Sequence, residues 1–179
     1  EIEAVTGVQT CALPIFINNV GLYSKKYKSF NDLPQGASVA IANDPINSGR
    51  GLQLLAKAGL ITLKPGVGYK ATEEDIIANP KKLKILQVEA VQLVRAYDDA
   101  DLVQGYPAYI RLSKTFDAES ALLFDGLDHP EYMIQFVIQP KAKTDPRVIK
   151  FVDIYQHSPV VRAALDKSLG KLYQVGWEG

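Results

Sequence analysis

One cysteine, one methionine, one tryptophan and two histidines are found among 179 residues. A lone Cys11 excludes an intrachain disulfide and any Cys-x-x-Cys redox or metal motif. His129 and His157 lie far apart, and neither sits in an HExxH motif or beside clustered carboxylates. A catalytic metal site is therefore not expected, and no cofactor is called for. Neither sign of charge prevails: 20 basic and 20 acidic residues give a formal net charge of zero. A nucleic-acid surface would show a basic excess or stripe, so nucleic acid is not an expected partner. The cluster Lys81, Lys82 and Lys84 runs into Ile85 and Leu86 and reads as the solvated entry to a strand. No apolar run reaches the ~18 residues of a membrane span. The chain does have 47% hydrophobic residues, enough for a core, and its length suits one domain or two small lobes.

The most informative stretch is Val39–Leu60, VAIANDPINSGRGLQLLAKAGL. Val39, Ala40 and Ile41 form a short apolar run, as in a buried strand. Asn43, Asp44, Pro45, Asn47, Ser48 and Gly49 are turn and cap formers that end it. Leu52, Leu55 and Ala56 then follow helical spacing, with Gly59 just past the end. Asn47 or Ser48 is placed to cap this helix. A strand, polar loop and helix aim backbone N–H groups and a positive dipole end at whatever lies above the loop. Arg50 at that end adds a forked donor that fits a carboxylate. The competing plain reading is a simple strand–helix connection with Arg50 solvated or in a surface ion pair.

Along the rest of the chain, apolar runs alternate with amphipathic segments. Val20–Tyr23, Ile61–Leu63, Leu83–Val88, Leu102–Val103, Ala121–Phe124, Tyr132–Ile138 and Leu172–Trp177 read as extended. Thr72-Glu73-Glu74-Asp75 approximates a capping box and predicts a helix running through Ile76 and Ile77 to Pro80. Ala90–Tyr97 and Tyr109–Phe116 also read as helical. Asp145-Pro146 and Ser158-Pro159 are cap and first-turn pairs opening two amphipathic helices, the second ended by Gly170. Asp98, Asp99 and Asp101 lack the spacing of a calcium loop and read as a solvated helix end. Strands alternating with helices predict an α/β fold with a mostly parallel or mixed sheet.

Several motifs carry a resemblance. They are Gly21-x-Tyr23-Ser24-Lys25-Lys26, Val39-Ala40-Ile41-x-Asn43-Asp44-Pro45-x-Asn47-x-x-Arg50 and Leu54-Leu55-x-Lys57-x-Gly59-Leu60-Ile61. Further on come Asn79-Pro80-Lys81-x-Leu83-Lys84-Ile85, Glu89-Ala90-x-Gln92-Leu93-x-Arg95 and Asp98-Asp99. Together they resemble the NlpA/MetQ family of methionine-binding lipoproteins, the substrate-binding components of ABC importers. The resemblance runs from about Asn18 to the end, and the Asn-Asp-Pro-x-Asn-x-x-Arg motif is its most specific part. It implies a type II periplasmic-binding-protein fold, with one complete lobe and the C-terminal part of the other. Residues 18–24 would be the first inter-lobe crossing, 25–131 the second lobe, and 132–179 the return crossing with the last helices of the first lobe. Most of the N-terminal lobe, with the residues that cage the ligand side chain, would be missing. GVQTCALPI resembles a translated sequencing-adapter remnant, so residues 1–17 are expected to be non-native or disordered.

The same resemblance implies a binding protein, not an enzyme. Its ligand would be methionine or a related small carboxylate, held in an inter-lobe cleft. Arg50 matches the arginine that binds the ligand's α-carboxylate. Asn43 and Asn47 would shape the loop, and Tyr106 and Gln135 would line the cleft. Tyr106 stands where the family has an asparagine, and Ile134 or Gln135 stands where it has a second. Partners would be an ABC permease and ATPase. The full protein would be periplasmic or at the cell surface, anchored by a lipid. Two alternatives stay open: an enzyme on the same fold, and a surface lipoprotein without ligand.

Overall fold

The computed structural model describes residues 11–177. They divide into two units: Asn19–Gly126, and the segments up to Asn18 and from Leu127 onward. In chain order the first elements are β1 (Cys11–Asn18), β2 (Gly21–Tyr23), β3 (Ser38–Ala42), α1 (Pro45–Lys57), β4 (Thr62–Leu63) and β5 (Ile76–Ala78). Then come β6 (Lys84–Val88), α2 (Leu93–Asp99), β7 (Leu102–Gly105), α3 (Pro107–Ser113) and β8 (Leu123–Phe124). The last are β9 (Ile134–Ile138), α4 (Pro146–His157), α5 (Pro159–Leu169) and β10 (Tyr173–Val175).

Among the described residues, the larger unit holds a five-stranded sheet in the order β6-β3-β7-β2-β8. β3 runs parallel to β6 and β7, while β2 runs antiparallel to β7 and β8. The sheet is therefore mixed, and of its parallel strands β3 and β7 are buried while β6 is largely exposed. Val39 and Ile41 point to one face, where they meet Leu52 and Leu55 of α1. Ala40 and Ala42 point to the other, against Leu93 of α2. Leu52 and Leu55 are completely buried, and each such side chain contributes about 1.5–3 kcal/mol. Two glycines let α1 come close. A Cβ at Gly51 would stand 2.9 Å from Gln104 Oε1 and 3.1 Å from Ile41, and one at Gly49 would collide with the Tyr69 carbonyl.

The smaller unit has a three-stranded antiparallel sheet in the order β10-β1-β9. The β1–β9 register slips between Pro14 and Phe16. A proline has no N–H for the ladder, so a bulge there is expected. Ile15, Ile17, Leu165, Leu169 and Val175 are buried in this unit. Phe136, Phe151 and Tyr155 pack edge to face. Both helices open as the sequence predicts: Asp145 accepts from the Arg147 N–H, Ser158 from the Val161 N–H.

Four expectations need correction. The capping box at Thr72 exists, with Asp75 Oδ2 accepting from the Thr72 N–H and hydroxyl, but it closes a single 3-10 turn. Ile76–Ala78 then pair with β4 as a strand, since a ladder outweighs local helix signals. The cap of α1 is Asp44, not Asn47 or Ser48. Proline suits the first helical position, so Pro45 moves the cap one residue upstream of it. From Cys11 onward the N-terminal segment is a paired strand, not disordered; residues 1–10 lie outside the described residues. Lastly, the units divide at Asn18/Asn19 and Gly126/Leu127. Val20–Tyr23 thus belongs to the larger unit's sheet, and Ile134–Ile138 to the smaller unit's.

Candidate functional site

From β3 the chain crosses through α1 to β6 on one side, then through α2 to β7 on the other. The gap between the ends of β3 and β7 is thus a topological switch point, where loops diverge and open α/β sheets place ligands. β2 is antiparallel to β7 and β8, so its start lies on the same sheet edge. That edge gathers Val20, Asn43, Asp44, Tyr106 and Asp125 from four connections.

The loop after β3 is fixed at its first residue: the Asn43 N–H donates to the Val88 carbonyl, 2.9 Å away. The Asn43 side chain is exposed. Asp44 accepts from the Asn47 N–H at 3.0 Å, and the Asn47 carboxamide donates to both Asp44 oxygens at 3.1 and 3.0 Å. Asn47 is therefore tied into the helix cap. Arg50 does not stand at the helix end as the sequence reading placed it; it lies one turn further in.

Arg50 is only 5% exposed. Its Nε donates to Asp125 Oδ2 at 2.6 Å, and Asp125 is 4% exposed. The other Asp125 oxygen accepts from the Val20 N–H at 2.8 Å. Lys57, at the far end of α1, donates to the Asp125 carbonyl. The surface-ion-pair reading of Arg50 thus fails. The guanidinium is buried, and Asp125 fixes it at Nε.

Gln104 completes the switch point and is fully buried. Its Oε1 accepts from the Ala42 N–H at 2.8 Å. Its Nε2 donates to the Asn47 carbonyl at 3.0 Å and to the Tyr106 hydroxyl at 3.1 Å. One side chain therefore joins the end of β3, the first turn of α1 and Tyr106. Burial raises the Tyr106 pKa well above the usual phenol value; nearby Arg50 lowers it, and Asp44 and Tyr109 add to the rise. Tyr106 stays neutral and keeps a donatable proton. Asn47 and Tyr106 thus share one network through Gln104, Arg50 is tied through Asp125 to Val20, and Asn43 lies beside them.

Gln135 lies on β9 of the smaller unit, and its buried Oε1 has no hydrogen-bond partner among the described residues. No group of three or more His, Cys, Asp or Glu side chains suited to a metal occurs among the described residues.

Asp125 and Gln104 are the residues that sequence reasoning missed. Gln104 had a signal, being the polar residue in the buried run Leu102–Gly105; a polar group inside a strand asks for partners. Asp125 had none, because Phe124-Asp125-Gly126 reads as an ordinary turn.

Known proteins share this fold. The structure superposes on a nutrient-binding protein from Burkholderia cenocepacia bound to methionine, with a TM-score of 0.85 and 36% identity over 96% of this chain and 72% of that one. A periplasmic substrate-binding protein of an ABC transporter from Coxiella burnetii gives a TM-score of 0.82 at 36% identity, over 94% of this chain and 71% of that one. The α/β fold is accordingly that of periplasmic substrate-binding proteins. In sequence, the D-methionine-binding lipoprotein MetQ of Salmonella typhimurium is 42% identical over 154 residues, 83% of this chain. The chain spans 55% of that relative's length. The NlpA lipoprotein family model matches residues 8–177, which take in every element from β1 to β10, so the chain belongs to the NlpA lipoprotein family.

Proposed function

We propose that this chain is part of the substrate-binding component of an ABC importer, and that it binds methionine or a related small amino-acid carboxylate. The observation that carries the reading is Arg50, a buried arginine held at Nε beside a topological switch point. The likeness to a methionine-bound protein supports the ligand class. Arg50 supplies charge-assisted donors to the carboxylate. Tyr106 offers a neutral hydroxyl, and Asn47 and Asn43 shape the loop. Gln135 is a candidate on its own chemistry, since its unpartnered acceptor oxygen suits an ammonium donor. The protein's work is reversible capture and release, with no bond made or broken. Its partners are a permease and an ATPase. Its place is the periplasm or cell surface, anchored through a lipid.

Titration calorimetry of the full-length protein with D- and L-methionine tests this reading. Arg50→Ala leaves a buried carboxylate without its cation, a loss of about 2–5 kcal/mol, or at least about thirtyfold in Kd. Wild-type affinity in the variant would overturn the assignment.

A further inference from the structure

We propose that Asp125 is the positioning residue for Arg50: it sets the guanidinium plane and ties it to both places where the chain leaves the larger unit. The inference rests on the reading of Arg50 given above.

The Asp125 carboxylate is shared between two tasks. Oδ2 takes the Arg50 Nε–H at 2.6 Å, which fixes rotation about the last side-chain bonds. A ligand carboxylate must then be met by the terminal nitrogens, in one orientation. Oδ1 takes the Val20 N–H at 2.8 Å, and the Asp125 N–H returns a bond to the Val20 carbonyl at 3.0 Å. The next residues repeat the tie: the Gly126 N–H donates to Asn19 Oδ1 at 2.9 Å. Asn19 and Gly126 are the first and last residues of the larger unit. An anion drawn onto Arg50 therefore pulls on a carboxylate that is bonded to the Val20 N–H beside one exit and carried by the residue next to the other.

Stability alone does not account for this pair. Well-packed apolar residues in place of a buried ion pair are often neutral or stabilising. A charged pair beside a ligand-binding edge is explained by orientation: an arginine locked at Nε loses less freedom when a carboxylate arrives.

The test is Asp125→Asn in the full-length protein, titrated with methionine and with methioninamide, which lacks the carboxylate. The asparagine keeps one acceptor, and its NH₂ must face either the Val20 N–H or the Arg50 Nε–H. Methionine affinity is expected to fall at least about tenfold, with methioninamide changing by less than about twofold. Equal losses for both ligands would make Asp125 merely structural, and no loss would make it irrelevant; either overturns the proposal. If Arg50→Ala weakens methionine binding while Asp125→Asn does not, only the role of Asp125 falls. If neither weakens it, the reading of Arg50 itself is at fault. Should Asp125→Asn fail to fold, the Arg50 Nε–H of the wild-type protein gives the answer by nitrogen-edited NMR, assigned through Arg50→Lys. Slow exchange with water, kept when methionine binds, supports the proposal; exchange as fast as in free arginine overturns it.

Discussion

Replacing Gln104 with leucine tests the network under the site while leaving every proposed ligand-site side chain in place. The two side chains are similar in size, so the change removes polar atoms more than volume. Three hydrogen bonds go: one from the Ala42 N–H, one to the Asn47 carbonyl and one to the Tyr106 hydroxyl. Gln104 is fully buried, and no water can take its place. The orphaned Ala42 N–H costs about 1–3 kcal/mol, and the two lost donor contacts about 0.5–1.5 kcal/mol each. Leucine recovers part of this, because an apolar side chain prefers the interior. The net expectation is a loss of about 2–4 kcal/mol. In urea the midpoint should fall with an unchanged slope, and the thermal midpoint should drop by about 4–16 °C. An equally stable or more stable leucine variant would refute the view that Gln104 holds β3, α1 and Tyr106 together.

Two further outcomes follow from the same sheet. Gly51→Ala should destabilise by about 1–3 kcal/mol in calorimetric unfolding although alanine favours helix, because its Cβ would press on Ile41 and Gln104 and push α1 off β3. The pKa of Asp101 is lowered, first by the Ser38 N–H and then by Lys26 and the Ser38 hydroxyl, against an opposing effect of burial. Its stabilising contribution is therefore present above the unfolded carboxylate pKa of about 3.9 and lost as pH falls through the lower folded value. Asp101→Asn should flatten the acid limb of a stability–pH profile, and an unchanged limb would refute the assignment.

The turn from β3 into α1 was legible because local chemistry governs it. An apolar triplet, a run of turn formers and leucines at helical spacing each state their own structure, and Gly59 ends the helix in the left-handed conformation. The resemblance pointed to Arg50 for the same reason: its motif is contiguous. What holds Arg50 was not legible, since Asp125 lies 75 residues away and meets it only through sheet order. Asn47 misled in part. A residue two positions past a proline reads as loop, yet its carboxamide serves the Asp44 cap. Thr72 misled because a capping box reports one turn and says nothing of the strand after it. Cys11–Asn18 read as foreign by its letters, while its paired partners lie more than a hundred residues downstream on β9 and β10.

A crystal structure of the full-length protein grown with methionine tests the central claim most directly. The account predicts the ligand carboxylate on the terminal nitrogens of Arg50, with Nε still bonded to Asp125. A carboxylate bound elsewhere, or an Arg50 swung away from Asp125 to reach it, would contradict the account.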